Sequence, residues 1–298
     1  LKNILFPVKL LTSLLQSFKI LMQYKPHVVV SCGGYVAGPV GWVAGKKGIP
    51  LVIQEQNSYP GVTNRLLAKF ATKIFTAFKE ADRFLPEHKT EVSGNPTRAT
   101  LTHANRANAL SSFGFNDNKP VLLVMGGSGG AKAINEAMKA NVEHLHNKTG
   151  LQIIWQCGPR YYDAISTQIN PKNFENLWLT DYLDNMAEAY AAADLVISRA
   201  GASSCSELML TGKPSILVPS PNVAGDHQMQ NAKAMADAGA ANILEDHTMK
   251  ETMTELVEQL IHDQENLKRM NKAALRLAKP EAARLIAKEI LEIAKSKL

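Results

Sequence analysis

The sequence predicts an α/β protein in which two Rossmann-like domains face a cleft. An apolar strand followed by a turn of small residues occurs at residues 27–34 and again at residues 194–201. Each copy is followed by a helix rich in small residues, a Gly-Xaa-Pro break and another strand. This order is typical of β-α-β units with a parallel sheet. Two similar halves explain the duplication most simply, and a length of 298 residues suits two cores better than one.

The first element is an apolar segment at residues 1–24. Leu10, Leu14 and Phe18 lie at helical spacing within it, and lysines interrupt it. The segment carries too much charge to span a bilayer and lacks the small-residue cleavage site of a signal peptide. Two interpretations stay open: an amphipathic helix packed on the sheet, or an interfacial helix that rests on anionic lipid.

The positive charge is concentrated in the first third of the chain. Residues 1–100 contain 13 Lys and Arg against 5 Asp and Glu, whereas the remainder contains 20 against 22. Next to an apolar segment, this basic balance predicts an anionic membrane surface as a partner. Nucleic acid is not expected as a partner, because the aromatic residues are few and do not alternate with the basic ones.

The cysteines and histidines predict neither disulfides nor a metal centre. The three cysteines are odd in number and have no Cys-x-x-Cys spacing, which indicates a reducing cytosol. His144 and His146 have no further ligand at metal spacing, and the chain has no Asp-x-Asp triplet for a metal-bound diphosphate. We therefore predict no metal and no other cofactor.

The two halves begin differently. In the second half, a strand at 120–125 and a Gly-rich turn at 126–130 stand about seventy residues before Asp194, as a first phosphate loop should. Only 26 residues precede His27, so by symmetry we expect the first domain to be truncated at its N-terminus by roughly 45 to 60 residues. The predicted domains are 1–100, which is incomplete, 101–279, and a closing helix at 280–298 that serves as a packing element.

Polar loops follow the strands of both halves, at the edge where open α/β sheets bind ligands. In the first half, the strand at 51–53 runs into a loop that ends at Asn57. The turn at 94–98 closes that domain, and its Arg98 is either a bidentate phosphate ligand or a solvated residue of a linker. In the second half, the backbone of the loop at 182–186 can pair with a base edge or can form a plain connection.

Residues 198–232 predict an anion site followed by a hydroxyl-binding carboxylate. A turn of small residues opens a helix there, and the backbone N–H groups of such a helix start point at an anion. Glu207, one turn further, can accept hydrogen bonds from a ribose diol. The alternative is that the serines only cap the helix and that Glu207 is a solvated acid. The next strand, at 215–219, leads to a loop that we expect at Asp226, His227 and Gln228.

Several motifs together resemble those of the lipid I N-acetylglucosaminyltransferases, the MurG family, in unbroken order along the chain. They are Gly33-Gly34-Tyr35-Val36-Ala37-Gly38-Pro39, Glu55-Gln56-Asn57, Gly61-Val62-Thr63-Asn64-Arg65, Gly94-Asn95-Pro96-Thr97-Arg98, Gly126-Gly127-Ser128, and Arg199-Ala200-Gly201-Ala202 through Glu207. The resemblance implies an inverting transferase of the GT-B type. It moves N-acetylglucosamine from UDP-N-acetylglucosamine (UDP-GlcNAc) to lipid I, which is undecaprenyl-diphosphate-linked muramoyl-pentapeptide, and gives lipid II. It also implies a peripheral protein on the cytoplasmic side of the inner membrane.

The same resemblance implies roles for individual residues, with the donor held mainly by the second domain. Glu207 binds the ribose hydroxyls, the backbone near Leu183 binds the uracil, and Gln228 binds the sugar hydroxyls. The diphosphate lies on the turn formed by Ala202, Ser203, Ser204, Cys205 and Ser206. The donor site is completed by Asn57, Arg98 and Ser128.

The chain departs from the family pattern at three places. The first Gly-rich loop, with the His that is usually proposed to act there, is absent, so the general base is unknown and His227 is the nearest substitute. Gln54 stands where the family often has His, and Gly129 where it often has Gln. Two other functions stay open: another lipid-linked GT-B transferase, such as a diacylglycerol sugar transferase, or a non-catalytic module that binds a nucleotide sugar.

Overall fold

The computed structural model describes residues 6–147 and 149–297. The chain forms two compact units, one of Leu1–Pro96 together with Lys279–Leu298, and one of Thr97–Ala278. Both units are α/β structures with a parallel sheet, which confirms the predicted fold class. The closing helix, Ala282–Lys295, belongs to the first unit.

The first unit is a four-stranded parallel sheet with helices on both faces. Its strands lie in the order β1-β2-β3-β4. In chain order the elements are α1 (Phe6–Tyr24), β1 (Val29–Ser31), α2 (Gly34–Lys46), β2 (Leu51–Glu55), α3 (Val62–Leu67), β3 (Lys73–Thr76) and β4 (Thr90–Val92), followed at the chain end by the closing helix.

The side chains of β2 point alternately to the two faces of the sheet and contribute to two separate hydrophobic cores. Leu51 and Ile53 pack with Leu67 of α3 on one face of the sheet. Val52 lies between them in sequence and packs with Phe75 and with Ile286 of the closing helix. Successive strand residues point to opposite faces, so a strand buried on both faces is apolar throughout. The closing helix therefore acts as the second cover of the first sheet.

Helix α1 packs on α2 through only one of its faces. Leu21 is buried against Val43 and Ala44 of α2. The adjacent face of the helix is apolar but exposed, with Leu11 59% and Leu15 62% exposed. Among the residues described, no helix combines the length and the apolar character needed to cross a bilayer.

The second unit is a six-stranded parallel sheet with strand order β10-β9-β8-β5-β6-β7. In chain order its elements are α4 (Arg106–Ser112), β5 (Val121–Met125), α5 (Lys132–Asn147), β6 (Gln152–Gln156), α6 (Tyr162–Ile169), β7 (Leu177–Thr180), α7 (Met186–Ala192), β8 (Leu195–Arg199), α8 (Ala202–Thr211), β9 (Ser215–Val218), α9 (His227–Asp237), β10 (Ala241–Ile243), α10 (Met249–Ile261) and α11 (Gln264–Leu277).

The strand order of the second unit creates a switch point between β5 and β8. From β5 the chain adds β6 and β7 on one side, and it then crosses over to place β8 on the other side. In open α/β sheets the two helices that diverge at such a point leave a crevice at the carboxyl ends of the strands. The predicted Gly-rich turn and the predicted anion turn follow β5 and β8, so they flank this crevice.

The prediction of a loop at residues 226–228 is wrong in part. Asp226 has a left-handed φ of 53° and ends a short 3-10 helix, and α9 begins at the next residue. Residues 227–237 contain mostly good helix formers and neither Gly nor Pro. His227 and Gln228 therefore lie in the first turn of a helix.

Candidate functional site

The turn after β5 is a tight loop that only glycine permits at two positions. A Cβ atom at Gly126 would lie 2.3 Å from the amide nitrogen of Ala131, and one at Gly130 would lie 2.0 Å from the carbonyl oxygen of Cys157. Ser128 lies between them and is exposed. The turn thus brings the start of α5 close to β6 and leaves the Ser128 hydroxyl accessible beside the crevice.

The N-terminus of α8 presents backbone N–H groups without a side-chain cap. Gly201 occupies the N-cap position without a side-chain capping bond, and the first turn has no acidic residue. The amide of Cys205 already donates to the Gly201 carbonyl oxygen, at 2.9 Å. The earlier amides of the helix have no partner within it and point along the axis towards its positive end. Those of Ala202, Ser203 and Ser204 are therefore the donors of this turn.

The side chains of Cys205 and Ser206 face the protein. Cys205 is fully buried, and burial raises the pKa of its thiol to about 12. The Ser206 hydroxyl donates to the Ala202 carbonyl oxygen at 2.8 Å. Of the predicted turn, Ser203 is exposed and Ser204 is half-buried, so these two hydroxyls lie at the surface.

Two predicted residues that are distant in sequence meet beside α8. An Oε1 atom of Glu207 lies 3.9 Å from Nη2 of Arg98, and their side chains are 20% and 65% exposed. The other oxygen, Oε2, accepts a hydrogen bond of 2.9 Å from the Tyr190 hydroxyl. Burial, and next the nearby Glu207 carboxylate, raise the pKa of Tyr190 well above its usual value. The phenol therefore stays protonated and acts as the donor.

Arg98 also borders a cavity of about 330 Å³ within the second unit. One wall is the short 3-10 helix Ala99–Thr102, and the other is the loop that leads into α7. Leu183 precedes this wall, and its side chain is only 8% exposed, so the loop offers backbone rather than the leucine side chain. The loop is fixed because the Thr180 hydroxyl donates to the carbonyl oxygen of Tyr182 at 2.8 Å.

Gln228 fixes the loop after β9 to the start of α9. Its Oε1 atom accepts a hydrogen bond of 2.8 Å from the amide of Ser220. The side-chain amide nitrogen is then the group with which Gln228 can donate to a ligand. This arrangement follows from its place in the first turn of the helix.

Asn57 lies in the first unit, whereas the other predicted site residues lie in the second. It follows β2, and the buried Glu55 orders its loop. One carboxylate oxygen of Glu55 accepts from the Asn57 amide at 2.9 Å. The other oxygen accepts from Gly61 at 3.0 Å and from the Asn64 side chain at 2.8 Å. That Asn57 contributes to the donor site stays a prediction.

Sequence reasoning missed the side chains that hold the α8 turn and Glu207. The buried Asn231 of α9 donates to the Ala200 carbonyl oxygen at 3.2 Å. Arg199 pairs with Asp246 and donates to the Val218 carbonyl oxygen. Tyr190 sits in a run of alanines, and nothing in that run marks its hydroxyl as functional. Only the tertiary packing of α7 beside α8 identifies it.

The candidate metal pair of histidines, His144 and His146, lies on α5, where His144 contacts a neighbouring helix. His144 Nε2 lies 2.7 Å from a carboxylate oxygen of Glu258 on α10. Within residues 6–147 and 149–297, no group of three His, Cys, Asp or Glu side chains is placed to hold a metal ion.

The comparisons with known proteins agree with the resemblance drawn from the motifs. Residues 1–76 match the glycosyltransferase family 28 N-terminal domain, and residues 121–290 match the C-terminal domain of the same family. The chain is 42% identical to the UDP-N-acetylglucosamine–N-acetylmuramyl-(pentapeptide) pyrophosphoryl-undecaprenol N-acetylglucosamine transferase of Salinibacter ruber, over 98% of this chain and 78% of the relative.

Solved structures give the same result. The crystal structure of Acinetobacter baumannii MurG superposes with a TM-score of 0.79 and 33% identity, over 96% of this chain and 80% of that one. S. aureus MnaA, solved with UDP, shares only the fold, with a TM-score of 0.71 and 16% identity over 95% of this chain and 80% of that one. The chain therefore belongs to glycosyltransferase family 28, in the family of the pyrophosphoryl-undecaprenol N-acetylglucosamine transferases.

Proposed function

We propose that this enzyme transfers N-acetylglucosamine from UDP-GlcNAc to lipid I and so forms lipid II. The observation that carries the donor assignment is the grouping of Arg98, Glu207 and Tyr190 beside the uncapped start of α8. An anion site and a carboxylate that accepts hydroxyl donors, about one helical turn apart, suit the diphosphate and the ribose of a nucleotide sugar.

The donor is assigned to the crevice between β5 and β8. The diphosphate lies against the amides of Ala202, Ser203 and Ser204, and Arg98 adds a cation at its edge. The ribose diol faces Glu207, and the uracil lies at the backbone near Leu183, beside the cavity. Ser128 and Gln228 supply hydroxyl and amide donors from the turns after β5 and β9.

The transfer reaction requires the site to stabilise UDP as the leaving group. In an inverting transfer the acceptor hydroxyl attacks the anomeric carbon from the face opposite to UDP. The new glycosidic C–O bond forms as the bond to the diphosphate oxygen breaks, and the hydroxyl proton is released. Negative charge then develops on the diphosphate, where backbone amides at a helix N-terminus and an arginine stabilise it most effectively.

The first unit is assigned to the lipid-linked acceptor and to peripheral attachment at the cytoplasmic face of the inner membrane. The exposed face of α1 carries Leu11 and Leu15, and Phe18 of the same helix lies 4.6 Å from the Lys47 ammonium. Apolar side chains beside cations suit the interface of an anionic bilayer.

Vesicle sedimentation tests the attachment. The double variant Leu11→Glu and Leu15→Glu is expected to lose binding to phosphatidylglycerol vesicles. The control is Leu291→Glu, because Leu291 is also 59% exposed but lies on the closing helix. Equal binding by the double variant and the control would refute the assignment to α1.

A transfer assay tests the function itself. Labelled N-acetylglucosamine from UDP-GlcNAc is expected to appear on a lipid I analogue with the wild-type chain. Glu207→Ala is expected to lower this transfer strongly, and Thr254→Val, on the distant helix α10, is expected to leave it unchanged. Donor binding with no labelled lipid product would contradict the proposed transfer and favour a binding module.

A further inference from the structure

Tyr190 is a fully buried tyrosine whose hydroxyl has a polar partner on a neighbouring helix. It lies on α7 and is 0% exposed, among the largest side chains of the core. Its hydroxyl donates to Oε2 of Glu207 at 2.9 Å. A phenylalanine would fill the same volume without a polar group to satisfy. The hydroxyl therefore has a consequence at Glu207 that core packing does not require.

The hydrogen bond from Tyr190 restricts the orientation of the Glu207 carboxylate. The terminal torsion of a glutamate side chain is broad, so an unrestrained carboxylate samples many orientations. The bond from Tyr190 engages Oε2 and leaves Oε1 directed towards Arg98, at 3.9 Å. The Glu207 side chain is 20% exposed, so a ligand can still reach it. A group that is already ordered loses less conformational entropy when it binds.

The donor role of the phenol does not depend on pH in the usual range. Burial first, and then the Glu207 carboxylate, raise the pKa of Tyr190 well above its ordinary value. Arg98 and Cys205 are the other titratable groups that act on it, and Arg98 opposes the shift. The hydroxyl is therefore present wherever the protein is folded at neutral or moderately basic pH.

We propose that Tyr190 is a positioning residue that holds Glu207 ready to accept hydrogen bonds from the donor's ribose diol. It thereby sets a preference for ribonucleotide over deoxyribonucleotide diphosphates. The inference rests on the proposed function, in which Glu207 binds the ribose. A merely structural Tyr190 would influence the stability of the unit but not this preference.

The test compares the dissociation constants of UDP, 2′-deoxy-UDP and 3′-deoxy-UDP by calorimetry. The proteins are the wild type, Tyr190→Phe, Glu207→Ala and the double variant. Thr254→Val serves as the matched control, because it also removes one hydroxyl bond of 2.8 Å between side chains, but on α10. Melting temperatures are recorded for every variant in parallel.

The wild type is expected to bind UDP about 10- to 100-fold more tightly than at least one deoxy analogue, because a hydroxyl bond to a charged group is lost. Tyr190→Phe is expected to reduce this preference about three- to tenfold. In the Glu207→Ala background, Tyr190→Phe is expected to change the preference no further. In steady-state transfer, Tyr190→Phe is expected to raise KM for UDP-GlcNAc while kcat stays near the wild-type value.

Two results would overturn the inference. One leaves the donor assignment intact, and the other refutes the donor assignment as well. If Glu207→Ala abolishes the preference but Tyr190→Phe retains it in full, Tyr190 is structural and the donor assignment stands. If Glu207→Ala leaves the preference unchanged, Glu207 does not bind the ribose, and the donor assignment fails together with the inference. Loss of preference in Tyr190→Phe, with Thr254→Val behaving as the wild type, supports the proposal.

Discussion

Replacing Glu207 by alanine is expected to destabilise the second unit, because it leaves the Tyr190 hydroxyl without its partner. Tyr190 is 0% exposed, and the carboxylate accepts its hydrogen bond at 2.9 Å. After the substitution the hydroxyl stays buried in the core. The partly exposed Arg98, in contrast, loses a contact of 3.9 Å that water can replace.

The magnitude follows from the cost of a buried polar group that has lost its partner. That cost is about 1–3 kcal/mol. For a unit of the size of Thr97–Ala278, it corresponds to a decrease in Tm of about 2–12 °C. Removing both partners at once is less costly than removing one. The double variant Glu207→Ala and Tyr190→Phe is therefore expected to melt at a higher temperature than Glu207→Ala alone.

Tryptophan fluorescence can follow this unit separately. The chain has three tryptophans, and Trp155 and Trp178 lie in the second unit whereas Trp42 lies in the first. In a Trp42→Phe background the emission reports only the second unit. If Tyr190→Phe lowers the Tm of the Glu207→Ala protein further, the hydroxyl does not depend on Glu207 and the reasoning is refuted.

Three further predictions address the anion site, a buried lysine and the loop of Asn57. Ser203→Asp places a negative charge at the start of α8, where the helix dipole is expected to keep or raise Tm. The same charge is expected to weaken UDP binding by at least about tenfold, because it repels the diphosphate. An unchanged affinity in calorimetry would contradict the anion site. Burial lowers the pKa of Lys213 to about 8 from its usual 10.5, so the folded state binds fewer protons than the unfolded state between these values and stability rises with pH there. Lys213→Met removes this rise of stability with pH. The Tm of the variant minus that of the wild type is therefore expected to fall between pH 7 and pH 10. A difference that stays constant over this range would refute the lowered pKa of Lys213. Glu55→Gln replaces one carboxylate oxygen by an amide donor, which then faces either the donor of Asn57 or those of Gly61 and Asn64. The substitution is expected to destabilise the first unit by about 2 kcal/mol or more, as measured by urea unfolding of the Trp155→Phe and Trp178→Phe protein. An unchanged midpoint would argue against the loop network.

The elements next to the phosphate turns could be predicted from sequence, because their signals are local. The apolar run of β8, the small residues after it and the Gly-Lys-Pro break at 212–214 each restrict the backbone directly. The structure places β8 at Leu195–Arg199 and α8 at Ala202–Thr211. The family resemblance, which rests on the same motifs, is confirmed as well.

The arrangements that sequence did not predict depend on contacts between distant segments. Tyr190 reads as one more apolar residue of α7 until its hydroxyl is seen at Glu207. Ile286 reads as part of a terminal apolar stripe, but it packs with Val52 and Phe75 and covers the first sheet. A loop is predicted at residues 226–228, but α9 begins at His227 because the residues that follow favour a helix.

A crystal structure of this chain with UDP-GlcNAc tests the donor site assigned to the second unit. Density for the diphosphate is expected at the amides of Ala202, Ser203 and Ser204, with the ribose diol within hydrogen-bonding distance of Glu207. A nucleotide bound elsewhere, or one whose ribose does not contact Glu207, would contradict the donor site assigned to the second unit.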